Sequence, residues 1–142
     1  MRMHPSKKII GEFSERLSGK KILLGVTSSA AIYRSLDLAR LLMRHGADVY
    51  VIMTPKATEL ISSQLFEWAT GNEVLVELSG KIEHVSLSEK ADLMLIAPAT
   101  ANTIIKLAYG IADNALLTTA LAMMGMKRPI IIVPAMHGSL WN

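Results

Sequence analysis

Apolar residues in this chain fall into short continuous runs, separated by stretches with helical spacing. Lys21-Ile22-Leu23-Leu24-Gly25-Val26, Asp48-Val49-Tyr50-Val51-Ile52-Met53, Asp92-Leu93-Met94-Leu95-Ile96-Ala97 and Pro129-Ile130-Ile131-Ile132-Val133 have the length and near-unbroken apolarity of strands buried on both faces. After the first run, Ile32, Leu36, Ala39 and Met43 recur at i, i+4, i+7 and i+11, one face of a helix, and Gly46 is placed to stop it. Thr54 and Pro55 read as the N-cap and first turn of another helix. Further helices are predicted over Ile61–Trp68, Ser86–Lys90, Asn102–Tyr109 (ended by Gly110) and Asp113–Met124 (ended by Gly125), with a short strand at Val74–Val76. Residues 1–19 read as a polar, helical lead-in ending at Gly19. Strands alternating with helices imply a parallel sheet covered on both faces, so the expected class is α/β, a single Rossmann-like doubly wound sheet. The expected organisation is a lead-in over 1–18 and one domain over 19–142.

In open parallel sheets ligands bind beyond the carboxyl ends of the strands. Four segments lie there: Gly25–Ala30, Thr54–Lys56, Ala97–Thr103 and Pro134–His137. They are rich in hydroxyls, amides and small residues, and two open helices, whose free N–H groups and positive dipole end suit a phosphate. The first holds one glycine, so it is neither G-x-G-x-x-G nor a Walker A loop. Its hydroxyls, Ser28 and Ser29, serve either a mononucleotide phosphate or ordinary helix capping. Ala97-Pro98-Ala99-Thr100-Ala101-Asn102-Thr103 places small residues where something flat can approach the backbone, followed by directional hydrogen-bonding groups; the alternative is a loop with an N-cap. His84 precedes a short helix, where a histidine either moves protons near neutral pH or sits in a solvent-exposed turn. His4, His45 and His137 show no ligand spacing with it, so no metal site is expected; His45, just before Gly46, suits a helix C-terminus. Phe66 and Trp68 either line a pocket or pack in the core, and Met123, Met124 and Met126 read as packing.

Composition narrows the picture. Charged residues make up only 19% and hydrophobic ones 51%, which points to a doubly covered sheet, a buried subunit interface, or both. There is no cysteine, hence no disulfide, thiolate metal site or Cys nucleophile within these residues. The charge of +3 is spread in short pairs such as Lys7-Lys8 and Lys20-Lys21, unlike a nucleic-acid-binding stripe. No signal peptide or membrane-spanning run is apparent, and a cytoplasmic setting is expected.

Taken together, the motifs resemble those of the flavin-containing cysteine decarboxylase family, from about Gly19 to the end of the chain. His84-Val85-Ser86-Leu87, Ala97-Pro98-Ala99-Thr100-Ala101-Asn102-Thr103 and Gly110-Ile111-Ala112-Asp113-Asn114 are similar to the family's active-site histidine, its P-A-S/T-A-N-T motif and its G-x-A-D-N helix start, in order and at family spacing. Pro134-Ala135-Met136-His137-Gly138-Ser139-Leu140-Trp141 is similar to P-x-M-N-x-x-M-W, with His137 for the asparagine and Leu140 for the second methionine.

The resemblance implies a flavoprotein fold, bound FMN, and decarboxylation of 4′-phosphopantothenoylcysteine to 4′-phosphopantetheine in coenzyme A biosynthesis. On that basis His84 acts as base, Asn102 positions flavin and substrate, and His137 holds the carboxylate. Ser28, Ser29, Ala30, Thr54, Phe66, Thr100, Ala101, Asn102, Thr103 and Ala135 form the expected flavin site. The resemblance also implies a homo-oligomer, trimer or dodecamer, with flavin near the subunit interface, and a further flap bearing a cysteine beyond Asn142. The rivals are a flavin prenyltransferase of similar fold and a non-catalytic FMN-binding regulatory protein.

Overall fold

The computed structural model describes residues 3–78 and 83–135, without the side chains of 83–85. Four parallel strands, β1 (Lys21–Val26), β2 (Asp48–Met53), β3 (Leu93–Ala99) and β4 (Ile130–Pro134), form one sheet in the order β2-β1-β3-β4. The helices are α1 (Tyr33–Arg44), α2 (Ser63–Thr70), α3 (Glu83–Lys90), α4 (Ala101–Ala108) and α5 (Ala115–Gly125). The doubly wound α/β class read from the sequence is the observed one.

Side-chain alternation along β1 divides the core. Ile22, Leu24 and Val26 join Val49, Val51 and Met53 of β2 against Ala39 and Met43 of α1 and Phe66 of α2. Leu23 faces the other way, with Ile52, Met94 and Ile96, against Leu116, Leu117, Ala120 and Met123 of α5. Gly25 belongs to this second face: a Cβ there would meet Leu116 Cδ1 at 3.1 Å and Met94 Cε at 3.3 Å. Its missing side chain makes room for α5 rather than for a ligand.

The predicted boundaries shift in several places. Pro98 lies inside β3, because the register between β3 and β4 slips between Ile96 and Ala99. The bulge absorbs the residue that has no N–H to give the ladder. Val74–Val76 is reduced to one parallel bridge, Leu75 with Ile52, on the outer edge of β2. The helix expected after Thr54-Pro55 is a single 3-10 turn, Ala57–Glu59, with Thr54 Oγ1 accepting from Ala57 N–H (3.2 Å).

The lead-in is not an α-helix. It forms one 3-10 turn, Pro5–Ile9, and then bends, with Ile9, Ile10 and Leu17 packed on the α1–α2 side of the core. It passes so close to Gly46 (φ +108°) that a Cβ there would lie 2.7 Å from the Ser18 nitrogen. His45 caps α1, and its ring is hydrogen-bonded to Ser14 Oγ at 2.7 Å.

Candidate functional site

The chain leaves β1 toward β2 on one side, while β3 and β4 lie on the other, so the connections diverge between β1 and β3. That crevice is where an open α/β sheet takes a ligand. Its floor is fastened by one buried hydroxyl. Thr27 Oγ1 donates to the Pro98 carbonyl (2.7 Å) and accepts from Thr100 N–H (3.1 Å), joining the end of β1 to the turn that starts α4.

Above this floor lies a groove of about 290 Å³, lined by Thr27, Ser28, Thr54, Pro55, Lys56, Thr100, Asn102, Thr103, Lys106, Asp113 and Asn114. Each wall follows from local sequence. Thr100 caps α4, its hydroxyl accepting from Thr103 N–H (3.3 Å) and donating to Thr103 Oγ1 (3.1 Å). Asn114 caps α5, its Oδ1 accepting from Leu117 N–H (2.8 Å). Ser29 accepts from Ala31 N–H (3.2 Å) and caps the 3-10 turn Ala30–Ile32 that leads into α1.

Many donors here remain uncommitted. The Ser28 hydroxyl, the Asn102 side-chain amide and the backbone N–H groups of Ala30, Ala101 and Asn102 have no partner among the described residues. Lys56 has no ion-pair partner among them either, whereas Lys106 Nζ meets Asp113 Oδ2 at 2.6 Å. Neutral and cationic donors converging from three strand ends match an anion with several acceptor oxygens, such as a phosphate. The residues present therefore fit a flavin mononucleotide's phosphate end.

Of the sequence-predicted residues, Ser28, Thr54, Thr100, Asn102 and Thr103 line this groove. Ser29, Ala30 and Ala101 stand at its helix starts. Phe66 does not reach it. The ring is fully buried on the inward face of α2, in the α1–α2 core cluster. Trp68 is neither core nor lining: it is 63% exposed, with the Arg40 guanidinium 5.2 Å above its ring. Ala135 lines a different cavity, between α1 and β4. His84 lies in α3, but its side chain is outside the described residues, as is all of His137.

Lys56 lies in a strand-end segment and Asp113 in the Gly110–Asn114 motif, but neither was given a role at the site from sequence, and Lys106 was not singled out. The usable signal was spacing: Asn102 and Lys106 are i and i+4 on α4, hence on one face. A second cavity of about 350 Å³ adjoins the groove, sharing Pro55, Asp113 and Asn114, and is bounded by Val76, Glu77 and Leu78, just before α3.

With these strand ends and donors in view, the comparisons with known proteins fall into place. Residues 10–142 match the flavoprotein family, and the chain belongs to it. It is 49% identical over 140 residues to the coenzyme A biosynthesis bifunctional protein CoaBC of Methanocaldococcus jannaschii, covering 99% of this chain and 34% of that protein. The chain thus spans about a third of the length of the curated relatives it matches. Among solved structures, the FMN-dependent cysteine decarboxylase SpaF superposes with a TM-score of 0.80 at 30% identity, over 89% of this chain and 74% of that one. A variant of PPC decarboxylase superposes with a TM-score of 0.69 at 25% identity, over 87% and 74%.

Proposed function

We propose that the chain binds FMN and carries the decarboxylation of 4′-phosphopantothenoylcysteine to 4′-phosphopantetheine in coenzyme A biosynthesis. The observation that carries this reading is the set of uncommitted donors at the β1 and β3 ends, in a chain whose relatives are coenzyme A biosynthesis proteins and FMN-dependent cysteine decarboxylases. FMN, when bound, supplies a reversible electron sink that a cysteine amide lacks, making loss of its carboxylate feasible.

The chain's own residues divide the remaining work. Ser28, Ser29, Ala30, Thr54, Thr100, Ala101 and Thr103 surround and hold the phosphate end. Asn102, exposed on the first turn of α4 and without a side-chain partner among the described residues, orients flavin and substrate. The imidazole of His84 accepts the thiol proton of the substrate, and His137 donates a hydrogen bond to the departing carboxylate. Those two roles rest on the motif resemblance.

Self-association into a trimer or dodecamer fits the outer side of α4, where Ile105 and Tyr109, with Ile111 just beyond, are large apolar groups left exposed. Among the described residues no helix is long and apolar enough to cross a membrane, and a cytoplasmic location is part of the proposal.

The first test is the absorbance spectrum of the purified protein. Bound FMN gives a yellow protein that releases FMN on heating, and a folded protein that ignores added FMN removes the reading. The second is His84→Asn in a chain long enough to turn over. It keeps the colour and loses carbon dioxide release by about a hundredfold or more; unchanged turnover takes His84 out of the mechanism. Product mass separates a substrate lighter by carbon dioxide from a prenylated flavin.

A further inference from the structure

We infer that Lys106, with Lys56 on the opposite wall, is the specificity-determining cation of the groove, reading a phosphate monoester in competition with Asp113. This deepens the proposed function and rests on it for the identity of the ligand.

The placement of Lys106 follows from helix geometry. Side chains on α4 lean toward its N-terminus, so Lys106 is carried from the second turn back toward Asn102 and Thr103, and all three line the groove. Asp113 reaches it from the other side of Gly110, whose left-handed φ of +70° turns the chain back after α4.

The pair does little for the fold. The Lys106 and Asp113 side chains are 27% and 52% exposed, and ion pairs this open to water contribute little stability. Its effect is local. It parks an ammonium at the groove with a counter-ion that a stronger anion can displace. Asp113 is the only acid among the lining residues, against two lysines, and Lys56 has no ion-pair partner among the described residues.

A monoanionic carboxylate would be matched by one of these cations. Two cations, with the hydroxyls of Ser28, Thr54 and Thr100 beside them, match the charge and oxygen count of a phosphate monoester. Two phosphates meet this description, that of the flavin and that of the substrate.

The experiment compares the wild-type chain with Lys106→Met, Lys106→Arg and Asp113→Asn. FMN and riboflavin are titrated by flavin fluorescence. The substrate and its dephosphorylated form are titrated calorimetrically into the flavin-loaded protein. Lys106→Met is expected to weaken the phosphorylated member of one pair by about tenfold or more while moving the unphosphorylated member less than about twofold.

Lys106→Arg retains most of the discrimination, and Asp113→Asn tightens the phosphorylated ligand because the competing carboxylate is gone. Loss within the flavin pair assigns the flavin phosphate, and loss within the substrate pair assigns the substrate phosphate. Equal weakening of both members of each pair, or no change in either, overturns the inference. If the wild-type chain binds no flavin, the functional reading fails separately. The cation's role is then read from broadening of the ³¹P resonance of inorganic phosphate: broadening that disappears in Lys106→Met supports it, and broadening absent from wild type or unchanged in the variant overturns it.

Discussion

Of the cavities beside the strand ends, two make a contrast, and the larger is the more apolar. The space between α1 and β4, about 410 Å³, is walled mainly by Leu38, Leu41, Ala97, Pro98 and Val133, with the charged Arg34 and Asp37 of α1 also lining it. Its buried hydroxyl, Ser35 Oγ, is already spent on the Ala97 carbonyl at 2.9 Å. The groove at the β1 and β3 ends is smaller, about 290 Å³, yet keeps hydroxyl, amide and ammonium donors that have no partner among the described residues. Volume measures what could fit, whereas unspent hydrogen-bonding capacity measures what would be held.

The strongest way to break this contrast is Thr27→Val. It strips the Pro98 carbonyl and the Thr100 N–H of a shared buried partner. The expected cost is about 1–3 kcal/mol of stability in urea unfolding, chiefly from the Thr100 N–H left unpaired, since the Pro98 carbonyl keeps the Thr27 N–H at 3.3 Å. FMN affinity should fall with it, since the floor of the groove loosens. Undiminished FMN binding would mean the floor does not shape the site.

Ser35→Ala sharpens the contrast from the other cavity. It leaves one carbonyl short of a donor and is expected to cost about 1–2 kcal/mol, with FMN affinity changed less than about twofold. A large loss of FMN binding would move the ligand toward α1. Leu41→Gln, on a half-exposed residue at the rim of that cavity, is expected to alter stability by no more than about 0.5 kcal/mol and FMN binding not at all. A clear effect on binding would show that the larger cavity is occupied.

The sheet and its helices were legible because their signals are local. Four apolar runs and the Ile32, Leu36, Ala39, Met43 face of α1 need only neighbouring residues to be read. The strand-end segments were legible for a related reason: parallel topology sends them to one side, and Ser28, Thr54, Thr100, Asn102 and Thr103 do meet in one groove.

What failed depends on partners distant in sequence. Phe66 looked available to a ligand because nothing in Ile61–Trp68 reveals which face of α2 turns inward; the core claims Phe66, and Trp68 is left outside under Arg40. Pro98 looked like a strand end until β4 supplied a bulge to accommodate it. The Lys106–Asp113 pair spans a helix end and a glycine turn, a contact outside the i, i+4 ridge that periodicity reveals. The lead-in, read as a helix from its polarity, is ordered by the apolar groups it lays on the core.

That last feature bears on how the protein should be handled. The first eighteen residues resemble a dispensable leader, yet their Ile9, Ile10 and Leu17 cover the α1–α2 side of the core, and the backbone at Leu17–Ser18 sits directly over Gly46. Trimming the chain at Lys20 to simplify crystallisation or fusion would bare a greasy strip beside α1. The trimmed protein would be expected to clump during purification, so an affinity handle belongs ahead of the leader and not in its place.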